Sequence, residues 1–137
     1  MNLQFHFEYS FLVPFHEVDR AGIMFFAHIF THAHETYEQF MLHLGLNLHR
    51  DWSQQKYLLP IVHAEADYKM PLHHGMLVKV HLNISKIGTT SFTTAYWFLD
   101  HAHQLCVNAE LVHCCIDAKT HTAKTLPDEL RMQFREL

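Results

Sequence analysis

The sequence predicts an α+β fold in which one long helix lies against an antiparallel sheet. Three patterns carry that expectation. An alternating apolar segment opens the chain, a helical period follows it directly, and four more strand-like segments then succeed one another with almost no helix between them. With 137 residues there is room for one real core and not comfortably for two, so residues 1–137 are expected to form a single domain.

In the first strand Phe5, Phe7, Tyr9, Phe11, Val13 and Phe15 occupy one side and His6, Glu8 and Ser10 the other. Leu12 breaks the polar face and Pro14 ends the run. His16 to Phe25 is short and interrupted by glycine, which makes it a loop delivering Asp19 and Gly22 to the helix. From Ala27 to Leu44 the period is 3.6. Phe26, Phe30, Ala33, Tyr37, Phe40, Met41 and Leu44 make one stripe, and His28, His32, Glu35 and Gln39 make the opposite one. Gly45 is placed to end the helix. Leu46 to Leu58 has no steady period and is expected to hold a short helical turn and a loop.

The later strands are Leu59 to Met70, Met76 to Ile87, Thr90 to Leu99 and Gln104 to Ile116, separated by Pro71, by Gly88 and by the turn Asp100 to His103. Short connections imply that consecutive strands pair antiparallel. Pro127-Asp128-Glu129-Leu130 starts a terminal helix, with proline and acids suited to its first turn. Leu12, Leu58, Tyr96 and Phe98 leave apolar surface outside the set facing the long helix, and a homodimer is the simplest cover for it.

Hydrophobic residues make up 49% and charged residues 18%, with a formal net charge of -4, which argues against disorder and against a nucleic-acid footprint. The three cysteines, Cys106, Cys114 and Cys115, have no C-x-x-C spacing and are expected to be reduced, fitting a cytoplasmic protein. No Lys or Arg precedes Arg20 and no continuous apolar block follows the start, so neither a signal peptide nor a membrane span is expected.

The stretch Asp19-Arg20-Ala21-Gly22-Ile23-Met24-Phe25-Phe26 carries the chemistry. Asp19 lies three residues before Gly22 and seven before Phe26 in an otherwise apolar segment. It reads either as a turn former or as a carboxylate able to act as general base or nucleophile. The open backbone N–H groups of the following helix start, around Met24 to Phe26, could polarise a carbonyl oxygen. Glu35 is the second candidate carboxylate. His28, His32 and Glu35 have spacing that could hold an ion, but not the H-E-x-x-H pattern, and no metal is expected. There is no G-x-S-x-G, G-x-G-x-x-G or P-loop. Lys119, His121 and Lys124 cluster after the last strand, where they either meet phosphates or remain solvated.

The Asp19 to Phe26 stretch closely resembles the D-x-A-G-hydrophobic-hydrophobic-aromatic-aromatic signature of hotdog-fold acyl-CoA thioesterases of the 4-hydroxybenzoyl-CoA thioesterase type. The resemblance continues through His34-Glu35-Thr36-Tyr37-Glu38, Leu59 to Ala64, Asp67-Tyr68, Pro71 to Gly75 and Leu126-Pro127. Its middle blocks are most similar to the 1,4-dihydroxy-2-naphthoyl-CoA hydrolases of quinone biosynthesis. The resemblance implies a hotdog, with a five-stranded antiparallel sheet wrapped around the helix, assembled as dimers and often tetramers with active sites between subunits. It implies that Asp19 is the catalytic carboxylate, that the Phe26 N–H polarises the thioester carbonyl, and that Gly22 makes the required turn. Lys119, His121 and Lys124 become candidate contacts for the phosphates of coenzyme A, which enters as part of the substrate, with no separate cofactor. His28 replaces the Asn or Gln common in relatives and Met76 replaces a common Asp. The expected activity is hydrolysis of an aromatic acyl-CoA. An aliphatic acyl thioesterase and a noncatalytic acyl-CoA binding protein are the alternatives.

Overall fold

The computed structural model describes residues 5–46 and 55–137. The chain runs through β1 (Phe7–Leu12), a 3-10 turn (Phe15–Glu17), α1 (His28–His43), β2 (Tyr57–Leu58) and β3 (Ile61–Tyr68). It continues through β4 (Leu77–Ile87), β5 (Ser91–Leu99), β6 (Leu105–Cys114), β7 (Ile116–Asp117) and α2 (Asp128–Arg135). Five strands form one antiparallel sheet in the order β1-β4-β5-β6-β3, and β2 pairs with β7 beside it. With α1 lying on this sheet, the architecture is the expected α+β hotdog. The helical turn expected between Leu46 and Leu58 falls largely outside the described residues.

α1 buries Ile29, Ala33, Thr36, Tyr37, Phe40 and Met41 against the sheet. Opposite them, β4 contributes Val78, Val80 and Leu82, and β5 contributes Phe92, Tyr96 and Phe98, all at most 1% exposed. Complete burial of each large apolar side chain stabilises the fold by about 1.5–3 kcal/mol. At the far end, α2 packs Phe134 on Phe92, with ring centroids 4.9 Å apart. Arg131 Nη2 then pins that helix by donating to the carbonyls of Gly88 and Thr89, at 3.0 and 3.2 Å.

Three expectations are corrected. Strand Leu59 to Met70 does not pair with the strand that follows it; β3 pairs with β6, from Ile61↔His113 to Tyr68↔Val107. The intervening segment is bound elsewhere, because Leu72 accepts from Met24 N–H and Gly75 N–H donates to Val13, at 2.8 Å each. Tyr96 and Phe98 are not outer surface, since both are fully buried under α1. Among the residues assigned to the polar stripe of α1, His32 is only 7% exposed, whereas Phe26 of the apolar stripe precedes the helix and is 59% exposed.

β3 is an open edge. Seven of its eight residues are exposed, Ile61 and Val62 at 40% and 62%. An uncovered apolar edge strand invites pairing with another chain.

The core also holds an ionisable group. His113 of β6 is fully buried, stacked between Phe92 and Tyr37 at 4.8 and 4.4 Å, with Nε2 3.2 Å from Thr94 Oγ1. Burial, reinforced by nearby His34, pushes its pKa from 6.5 down to about 4. The unfolded chain therefore binds more protons than the folded one across that interval. Stability is full above pH 6.5 and falls as pH drops towards 4, by up to about 3 kcal/mol from this group. Urea midpoints at pH 7 and pH 5 should separate in the parent protein and converge in His113→Gln; equal separation in both would remove the assignment.

Candidate active site

Asp19 opens a tight hairpin. Its N–H donates to Ile23 O at 2.8 Å and its carbonyl accepts from Gly22 N–H at 2.9 Å. Arg20 to Gly22 form the loop, with Gly22 at φ +78°. This is a type I turn closed by a left-handed residue, a position that favours glycine for lack of a Cβ. The carboxylate reinforces it, since Oδ1 accepts from Ala21 N–H at 2.8 Å and from Ile23 N–H at 3.2 Å. Oδ2 has no hydrogen-bond partner among the described residues, and Asp19 is exposed in the isolated chain. Both meanings of Asp19 are thus physically available: one oxygen forms the turn and the other is open.

The same turn chemistry recurs at two other aspartates. Asp100 Oδ1 accepts from Ala102 and Gln104 N–H at 2.8 and 2.9 Å, with His103 in the left-handed position at φ 61°. Asp117 Oδ1 accepts from Lys119 and Thr120 N–H, ahead of His121 at φ 59°. Asp19 differs from these two in its surroundings.

Immediately after its hairpin, Met24 N–H binds Leu72 O and Phe25 N–H binds Glu17 O, each at 2.8 Å. Phe26 and Ala27 then turn into α1. The N-cap residue Ala27 makes no side-chain cap, so the positive end of the helix is not closed from its own side chain. Among the described residues the Phe26 N–H has no acceptor within the chain, while its carbonyl accepts the Tyr68 hydroxyl of β3 at 2.6 Å. Beside this junction is a mainly apolar cavity of about 260 Å³. Ile23, Met24, Ile29, Tyr68, Met70 and Leu72 are among the residues lining it. Asp19 and Phe26 are not among the lining residues; Ile23 lines the cavity and its N–H donates to Asp19, so the carboxylate is linked to the cavity wall through one residue.

Glu35 lies apart from that opening. Its Oε1 accepts the Tyr9 hydroxyl at 2.9 Å and its Oε2 sits 3.2 Å from His32 Nδ1. The bond to Glu35 raises the Tyr9 pKa and keeps the phenol protonated. His32 Nε2 in turn lies 2.5 Å from Oε1 of Glu17, itself only 5% exposed. The sequence offered no signal for Glu17: it sits fifteen residues from His32 in a segment without periodicity, and only the fold brings the two together.

Lys119, His121 and Lys124 occupy the hairpin after β7. There His121 N–H binds Asp117 O and Lys124 N–H binds Cys115 O, both at 2.9 Å. No hydrogen bond or ion pair among the described residues links this hairpin to Asp19 or Phe26. Within one chain the phosphate candidates and the acidic hairpin remain separate features.

The thioesterase-like superfamily matches residues 13–134, and the chain belongs to that family. Within it, this is a hotdog-fold thioesterase closely related to the 1,4-dihydroxy-2-naphthoyl-CoA hydrolases. The enzyme of that name from Synechococcus elongatus is 32% identical over 126 residues, covering 91% of this chain and 92% of the relative. That from Nostoc punctiforme is 32% identical over 124 residues, covering 90% and 83%. The crystal structure of a 1,4-dihydroxy-2-naphthoyl-CoA thioesterase from Synechocystis superposes with a TM-score of 0.89 at 28% identity, covering 96% of each chain.

Proposed function

We propose that the protein hydrolyses an aromatic acyl-CoA thioester to the free acid and CoA, with 1,4-dihydroxy-2-naphthoyl-CoA as the first substrate to test. The observation that carries this reading is the junction of the Asp19 hairpin with α1. One unpaired carboxylate oxygen, one unclaimed Phe26 N–H and a cavity with mainly apolar walls belong to the same short segment. Its volume of about 260 Å³ is near the lower limit of small-molecule sites, roughly 300–1,000 Å³. That suits a compact ring system and leaves the pantetheine and nucleotide outside.

In this reading Asp19 removes a proton from water, which adds to the thioester carbonyl. The oxyanion is held by the Phe26 N–H at the positive end of α1. Collapse breaks the C–S bond, and the proton held by Asp19 passes to the departing sulfur. Direct attack by Asp19, giving a mixed anhydride that water then cleaves, has the same stoichiometry. Gly22 shapes the turn, and Glu35, whose oxygens face Tyr9 and His32, is assigned a supporting place. Lys119, His121 and Lys124 are assigned to the phosphates of CoA.

The working unit in this reading is a homodimer joined through β3, with a further pairing of dimers over the exposed pair Leu12 and Leu77, 63% and 55% accessible. Cys106, Cys114 and Cys115 are all unpaired, which favours the cytoplasm as its compartment. No helix among the described residues is long and apolar enough to cross a membrane.

Release of free thiol should be measured side by side on naphthoyl, benzoyl and fatty acyl-CoA substrates. The highest kcat/KM should fall on the dihydroxynaphthoyl thioester. Preference for a long aliphatic chain would reassign the cavity, and binding of all three without thiol release would remove the hydrolase reading.

A further inference from the structure

Behind the hairpin, His32 is held between two carboxylates in a buried place the hydrolytic step does not use. Its Nε2 faces Glu17 Oε1 at 2.5 Å and Oε2 at 3.1 Å, and its Nδ1 faces Glu35 Oε2 at 3.2 Å. The ring lies flat on Phe11 of β1, 3.7 Å between centroids and 3° from parallel. A neutral imidazole carries one N–H, and an ionised carboxylate only accepts. Two nitrogens each directed at a carboxylate oxygen therefore require one proton more than neutral imidazole supplies. That proton is held within the Glu17–His32–Glu35 unit, which ties the buried Glu17 to Glu35, whose side chain is 40% accessible, through one ring.

The groups around this ring come from every side that touches it. The 3-10 turn supplies Glu17. α1 supplies Glu35, and also His28, whose Nδ1 is 3.8 Å from Glu17 Oε2. β1 supplies Phe11 and, through Glu35, the Tyr9 hydroxyl. Glu17 also holds the hairpin: its backbone carbonyl accepts Phe25 N–H at 2.8 Å, and the next residue, Val18, bridges Met24. One residue thus ties both ends of the Asp19 hairpin together by its main chain and fastens them to the second turn of α1 by its side chain.

We propose that the buried His32 ring, hydrogen-bonded between Glu17 and Glu35, is the clasp that sets the Asp19 hairpin against α1, so that Glu17 and His32 are positioning residues for thioester cleavage. Removing the Glu17 carboxylate takes away the partner of Nε2, which loosens the clasp. This inference rests on Asp19 being the reacting carboxylate.

Two measurements test it. In the parent protein, 15N–1H spectra should show a His32 ring N–H shifted downfield and slow to exchange with solvent, as a buried hydrogen bond to a carboxylate requires. In Glu17→Gln, which retains a hydrogen-bond acceptor but removes the carboxylate, kcat should fall about tenfold while KM stays within about twofold. No protected His32 ring N–H in the parent protein, or an unchanged kcat in Glu17→Gln, would each overturn the proposal. If Glu17→Gln does not fold, the parent spectra decide alone. Asp19→Asn separates the two layers: full activity in that variant removes the catalytic reading, whereas an inactive Asp19→Asn beside an unchanged kcat in Glu17→Gln removes only the clasp.

Discussion

Asp19→Asn should lower kcat by about 10²–10⁴-fold while leaving the fold and the KM for acyl-CoA nearly unchanged. The structure makes this substitution a clean one. Asparagine can present its amide oxygen to Ala21 and Ile23 N–H, where Asp19 Oδ1 now accepts, so the hairpin loses no acceptor. What disappears is the negative charge on Oδ2, with its ability to take a proton from water or attack a carbonyl. Asp19→Ala would remove the turn bonds as well and would mix the two effects. Asp100→Asn supplies the matching control, because Asp100 makes the same two side-chain bonds in the β5–β6 hairpin and is not among the residues lining the cavity. Thiol release measured on all three proteins should show loss with Asp19→Asn and none with Asp100→Asn. Turnover retained in Asp19→Asn would leave Asp19 with a turn-forming role only.

The contrast between these aspartates also explains what the sequence could convey. Local rules recovered Asp19, Gly22 and the helix that follows, because turn chemistry and helical periodicity act over a few neighbours. The same rules apply equally to Asp100, so turn chemistry alone does not single out one aspartate. Only the resemblance of the surrounding residues to a known signature singles out Asp19. Pairing of β3 with β6 was hidden because the short connection at Pro71 suggests a hairpin, while the hydrogen bonds that divert it run to Val13 and Met24, far back in the chain. His32 was assigned to the polar face because histidine beside Glu35 at helical spacing is ordinarily solvated. Its burial depends on Glu17 and Phe11, which approach from two other segments.

The second large effect concerns assembly. Val62 sits at the irregularity in β3, between Ile61↔His113 and His63↔Val112, and is 62% exposed on the free edge. If β3 joins two copies about a twofold axis, any substitution there occurs on both sides of the interface. Val62→Asp would place two like charges in a desolvated seam, and the dimer should weaken by about 100-fold or more. Tyr68 makes the consequence reach catalysis: it belongs to β3, lines the cavity and donates to the Phe26 carbonyl at the start of α1. Burial raises the Tyr68 pKa, so its hydroxyl stays a donor through the working range. Releasing the edge frees the strand that fastens this junction, so activity should fall in step with the dimer fraction while far-UV circular dichroism is unchanged. Sedimentation and thiol release measured over the same dilution series give the comparison. A monomeric Val62→Asp with full turnover would show that the site is complete within one chain, and the dimer would then have no part in the chemistry.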